Sequence, residues 1–168
     1  MAEYSTTDEQ GKCIFCKIAA KEIPAYIIWE SRTHIAFLSP YPNTEGFSVV
    51  IPKEHQPSAV LELPQETYQD LMTATKEVAG LLQEAFEDVG RVGLLVEGLG
   101  INHAHTKLMP LHGTQEVANG SWKQYHSQIE TYFDSYKGYI SSHDGPSAKK
   151  KELENTKNKI LAARKKFL

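Results

Sequence analysis

Apolar residues recur along this chain with two periods. Between positions 65 and 86, Tyr68, Leu71, Met72, Thr75, Val78, Ala79, Leu82 and Phe86 return three and four places apart, with Glu, Gln and Lys between them. That spacing predicts a helix with one buried face. Pro64 suits its first turn and Gly90 its end, so the helix is expected over residues 64–88. Elsewhere the apolar runs are short. Residues 25–30 and 34–38 read as strands joined at Ser31-Arg32, and 47–52 (FSVVIP) as a buried strand after a loop carrying Pro40, Pro42, Asn43 and Gly46. Residues 91–97 and 103–110 read as two further strands around the Gly98-Leu-Gly100 turn.

These elements predict an α+β fold: an antiparallel sheet of about five strands, one long helix, and a helical C-terminal extension. The last helix is expected over 147–166, with Leu153, Thr156, Ile160, Ala163 and Phe167 on one stripe. That stripe needs a partner, either the same chain or a second copy. Residues 1–11 are polar and expected to be disordered, and 114–168 form an aromatic-rich, then basic, extension.

Composition narrows the class. The chain has 168 residues, 40% of them hydrophobic and 23% charged, which fits one globular domain with an appendage. Neither a membrane-length apolar run nor a signal pattern is visible, so a soluble protein without membrane association is expected. Two cysteines separated by two residues make no disulfide framework, which points to the cytoplasm. Charge is uneven: residues 146–168 carry eight basic residues against two acidic ones, the first 145 carry ten against nineteen. A solvated helix lying on an acidic body is the simpler reading. A nucleic-acid arm is disfavoured, because Phe167 alone could stack there.

Two groups of residues can do chemistry. In 103–110 (HAHTKLMP), period-two geometry places His103, His105, Lys107 and Met109 on one face and Ala104, Thr106 and Leu108 on the other. Two imidazoles and an ammonium make a poor core, so that face is expected to meet an anion or a metal, or else solvent. Cys13-x-x-Cys16 suits two thiolates of a tetrahedral zinc site, with a redox pair or two unremarkable thiols as alternatives. His55 follows the FSVVIPK strand at the start of a connection, a position suited to function. His34, His112, His126 and His143 stand alone in polar or turn-like surroundings and are expected on the surface.

The order CIFCKIAAKEIPAYIIWE, AFLSPYPNTEGFSVVIPKEH and, after the helix, NHAHTKLMP resembles the histidine-triad (HIT) superfamily of nucleotide hydrolases and transferases over about residues 12–112. The resemblance implies a HIT-like nucleotide-binding domain at 12–113 and a homodimer with joined sheets. It implies that His105 is the nucleophile, attacking the α-phosphate and forming a covalent nucleotidyl-histidine. Lys107 stands where the family's third histidine contacts phosphate or leaving group; with zinc on His103 it is expected to depress the pKa of His105. As a weak proton donor, lysine there favours leaving groups that depart unaided, pyrophosphate-like or mixed-anhydride, over simple amines.

The same resemblance implies a structural Zn2+ held by Cys13, Cys16, His55 and His103. It implies a purine nucleotide or dinucleoside polyphosphate-like ligand, its nucleoside against Phe15, Ile18, Phe37 and Leu38. Ser39 stands where an Asp commonly holds the ribose. Gly98, Gly100 and Asn102 are expected to approach the phosphates. The rival readings are a zinc-stabilised nucleotide-binding module with little or no turnover, and a hydrolase with both His103 and His105 on a catalytic metal.

Overall fold

The computed structural model describes residues 11–120 and 147–164. In chain order these form helix α1 (Ile14–Ala19), strands β1 (Ile27–Glu30), β2 (His34–Leu38) and β3 (Ser48–Pro52), and a 3-10 turn at Val60–Glu62. Helix α2 (Gln65–Ala85), strands β4 (Val89–Leu95) and β5 (Thr106–His112), a second 3-10 turn (Gln115–Asn119) and helix α3 (Lys150–Arg164) follow. The five strands make one antiparallel sheet in the order β1-β2-β3-β5-β4.

Every residue of β2 and β3 is buried, because both faces of the sheet are covered. On one face Ile28, Ala36, Leu38, Val50 and Leu108 pack with Leu71, Val78, Leu82 and Phe86 of the α2 segment. On the other, Ile35, Phe37, Val49 and Ile51 pack with Phe15 and Ile18 of α1. The sequence alternation thus becomes a three-layer arrangement with the sheet in the middle.

Helix α2 ends before the expected residue 88. Phe86 leaves helical geometry (φ −123°, ψ 110°) and is buried to 1% exposure, so the chain turns inward there and Gly90 belongs to β4 instead of capping the helix. β4 and β5 begin two and three residues away from the expected starts at 91 and 103. His103 to His105 precede β5: His103 lies in a bend, its N–H on the Ile101 carbonyl at 2.8 Å, and the Ala104 N–H is tied to the Gln56 carbonyl at 2.8 Å. Helix α1 was not expected; six residues are too few to show a period.

The stripe on α3 docks on its own chain. Leu153, Ile160 and Ala163 join the core cluster of α2, Thr156 donates to Glu45 Oε1 at 3.2 Å, and the Lys159 ammonium lies 4.2 Å from the centre of the Phe86 ring. Burial of apolar groups, with the lysines left largely at the periphery, holds this helix. No helix among the described residues is long and apolar enough to cross a membrane. His126, His143, Phe167, the aromatic residues 122–139 and residues 1–10 of the N-terminal segment expected to be disordered lie outside the described residues.

Candidate active site and metal centre

The metal-ligand candidates converge. Cys13 precedes α1 and Cys16 lies one turn into it, so both sulfurs share a side of the helix. His55 comes from the loop after β3 and His103 from the segment before β5. The ligand atoms of these four residues lie within 4.8 Å of one another. His103 Nδ1 is 3.5 Å from both sulfurs, and His55 Nδ1 is 3.4 Å from Cys16 Sγ. This Cys2His2 cluster can coordinate a metal ion.

Its surroundings prepare it for that role. His103 Nε2 lies 2.9 Å from the Pro52 carbonyl; a carbonyl only accepts, so Nε2 carries the proton and Nδ1 presents its lone pair to the sulfurs. Burial pushes the His103 pKa down to about 4, keeping the ring neutral. Burial, then the neighbouring Cys13 sulfur, pushes the Cys16 thiol up to about 11. A divalent cation reverses that preference by stabilising thiolate.

His105 does not join the cluster. It is 2% exposed and sits edge-on to Phe15, ring centres 5.5 Å apart. Its Nδ1 donates to the His103 carbonyl at 2.7 Å, so in the neutral ring Nε2 bears the lone pair. Its pKa is lowered first by burial; the hydrogen bond to His103 opposes this, Lys107 lowers it further and Glu97 opposes. The expected influence of Lys107 is present but smaller than that of burial.

A cleft of about 230 Å³ opens beside His105 and Lys107. Of the expected nucleotide residues, Phe15, Ile18, Phe37, Ser39 and Gly100 line it. Pairing of Phe37 with Val49, Val49 with Lys107 and Lys107 with Leu95 carries one row of side chains across this face. Gly100 has φ +87° and open space where a Cβ would stand. Ile14, Pro40, Tyr41, Phe47, Val49, Leu99 and Ile101 complete the lining and were not singled out as site residues from sequence, although strand parity with Phe37 could have found Val49.

Three expected residues lie elsewhere. Leu38 follows Phe37 by one position and therefore points to the α2 layer, where it is 2% exposed. Gly98 (φ +66°) would carry a Cβ 2.5 Å from the Ser58 carbonyl; its lack of a side chain lets two loops touch. Asn102 Oδ1 accepts the Ser58 N–H at 3.1 Å, bracing the same contact. His34, expected on the surface, is 5% exposed because β2 is an interior strand. His112 is exposed, as expected, and its Nδ1 lies 3.0 Å from Asp88 Oδ1.

The charged residue of the site that sequence reasoning missed is Glu97. It forms an ion pair with Lys107, and the side chains of Glu97 and Lys107 are 6% and 20% exposed. The full positive charge expected of Lys107 is thereby compensated. A larger groove of about 400 Å³ lies between loop 39–47 and α3. Leu38 and Ser39 line it, but His105, Lys107 and the Cys2His2 residues do not, so the chemistry points to the smaller cleft.

The α+β sheet carries a Cys2His2 cluster and, beside an apolar cleft, a buried histidine outside that cluster, and comparison gives the class to which this arrangement belongs. Residues 20–163 match the HIT domain; the chain belongs to the HIT-domain family of hydrolases and nucleotidyl transferases. It is 31% identical over 129 residues to Protein hit of Bacillus subtilis, covering 74% of this chain and 83% of that one. Adenosine 5'-monophosphoramidase of Saccharomyces cerevisiae is 26% identical over 151 residues, 86% of this chain and 95% of its own. The fold is shared with a hypothetical histidine triad nucleotide-binding protein of Sulfolobus tokodaii (TM-score 0.67, 24% identity, 92% and 93% coverage). It is also shared with a zinc-bound histidine triad family protein of Mycobacterium smegmatis (TM-score 0.62, 19% identity, 92% and 94% coverage).

Proposed function

We propose that this protein hydrolyses or transfers nucleotidyl groups through a covalent intermediate on His105. The observation that carries this reading is the Nδ1 donation to the His103 carbonyl. It fixes the tautomer, so the ring nitrogen left with a lone pair is Nε2, beside the cleft. That nitrogen attacks the α-phosphorus; the bond to the leaving group breaks, and its electron pair departs with the leaving group. Water or another acceptor then attacks the same phosphorus, releasing the nucleotide and restoring neutral His105. Lys107 provides a donor for phosphate oxygens, and Gly100 leaves room for backbone N–H groups to approach them.

The nucleoside lies against Phe15, Ile18 and Phe37, with the ribose at Ser39. Ser39 Oγ accepts the Tyr41 N–H at 3.1 Å, which still leaves the hydroxyl hydrogen to donate. That the yeast relative is an adenosine 5'-monophosphoramidase supports an adenine nucleotide as first substrate to try. Leaving groups that depart unaided remain the preferred partners of a lysine at position 107.

Cys13, Cys16, His55 and His103 hold a structural zinc in this reading. For tetrahedral Zn–S and Zn–N bonds of ordinary length, the S···N edge is about 3.6 Å, close to the 3.4–3.5 Å separations seen. All four protein ligands are supplied, so the ion braces the scaffold and leaves the chemistry to His105. A homodimer joined through sheet edges belongs to the same reading; β4 is an edge strand and its Leu94 is 44% exposed.

Turnover tests the proposal. Adenosine phosphoramidate and mixed-anhydride adenylates should be consumed by wild type and spared by His105→Ala, with zinc content equal in both. Equal turnover by the variant would remove His105 from the mechanism. Tight nucleotide binding with no turnover of any substrate would favour the binding-module reading.

A further inference from the structure

We propose that Glu97 is a positioning residue that works with Lys107 as one unit: a built-in carboxylate counter-ion that occupies the ammonium and holds down the affinity of the cleft for phosphate. The inference rests on the nucleotide reading of the cleft.

Register places the two residues together. The β4–β5 ladder pairs Leu94 with Leu108 and Leu95 with Lys107; continued by two residues, it sets Glu97 across from His105, on the face that carries Lys107. The close approach of Gly98 to the Ser58 carbonyl fixes the chain immediately after Glu97. The carboxylate is thus held by the strand before it and the loop contact after it. Lys107 lines the cleft beside His105, with its ammonium on Glu97 Oε1.

A purely structural ion pair explains this arrangement poorly. Glu97 is 6% exposed, and Oε2 is a buried side-chain oxygen with no hydrogen-bond partner among the described residues. A buried carboxylate satisfied at one oxygen only is costly, and an apolar pair of similar volume would serve the fold better. The consequence falls on ligand binding. A lone ammonium would attract a nucleotide phosphate strongly, whereas a neutralised one must divide itself between Glu97 and the phosphate. Product carrying a free phosphate dianion is then held less tightly, and the ammonium is kept at one place instead of sweeping the cleft. In a poorly solvated cleft one added negative charge a few ångströms away weakens anion binding by about tenfold or more.

Binding of AMP and of adenosine to zinc-loaded wild type, Glu97→Gln, Lys107→Met and the double variant tests this. Glu97→Gln keeps the shape of the side chain and removes its charge. AMP should bind it about tenfold more tightly than wild type, with adenosine unchanged. That gain should vanish when Lys107→Met is added, since the freed ammonium is then missing. A merely structural role would shift both ligands alike. An AMP-to-adenosine ratio unaffected by Glu97→Gln, or a gain that persists in the double variant, would overturn the counter-ion while leaving the nucleotide cleft standing. If wild type binds neither ligand, the nucleotide reading falls and takes this inference with it.

Discussion

The two faces of the sheet are built from alternate residues of the same strands and have opposite chemistry. Toward α2, the segment ending the motif offers Ala104, Thr106 and Leu108, all fully or almost fully buried, and the polar exception, Thr106, shares a hydrogen bond with Thr75 at 2.8 Å. Toward α1 the same segment offers His103, His105 and Lys107. One face is closed by apolar packing from two helices, the other by one short helix and a Cys2His2 cluster. A face that must keep a cleft open cannot fill itself with side chains, and a metal bound by the cluster would replace the packing that the cleft excludes.

This contrast can be broken most severely from the metal side. Structural zinc in a closed Cys2His2 site contributes on the order of 10 kcal/mol. Chelation, or Cys16→Ser, should therefore release the metal and collapse the thermal transition, read by metal analysis alongside calorimetry. His105→Ala should separate chemistry from structure: turnover falls roughly a thousandfold or more, while zinc content and melting temperature stay near wild type. Leu108→Ala, on the opposite face, should do the reverse. It should cost about 2–5 kcal/mol in urea denaturation and leave kcat per folded molecule unchanged.

Acid gives a smaller effect. His34 on the α2 side is held below its ordinary pKa of 6.5 by burial, with Asp70 opposing. The unfolded chain therefore takes up the proton first, and stability present above pH 6.5 is lost as the pH falls below it. His34→Gln should flatten that slope in denaturation curves measured from pH 7 to 5. The least effect is expected from salt. Because α3 docks through Leu153, Ile160 and Ala163, 0.5 M salt, chosen as roughly half the strength at which the Debye length falls to about 3 Å, should leave amide exchange in α3 unchanged, whereas Ile160→Ser should accelerate it.

Much of this contrast is legible in the sequence. The period of α2, the stripe of α3, the short apolar runs, the alternation of HAHTKLM and the spacing of Cys13 and Cys16 each encode a local geometry, and five strands and both long helices follow from them. What stays hidden depends on distance along the chain. The pairing of Glu97 with Lys107 needs the β4–β5 register, which no local period specifies. His34 looks like a surface residue until strand order places β2 inside the sheet. Leu38 could have been assigned to the α2 face from its parity with Phe37, whereas α1 is too short for any period to announce it.

The account turns on His105 as the atom donor to phosphorus. Intact-protein mass after rapid quench with a panel of adenylates and guanylates reads that step directly, in wild type and His105→Ala. The account predicts a labile nucleotidyl adduct in wild type only, its mass naming the nucleotide. Substrate consumed by wild type with no adduct at any quench time, or the same adduct on the variant, would contradict it.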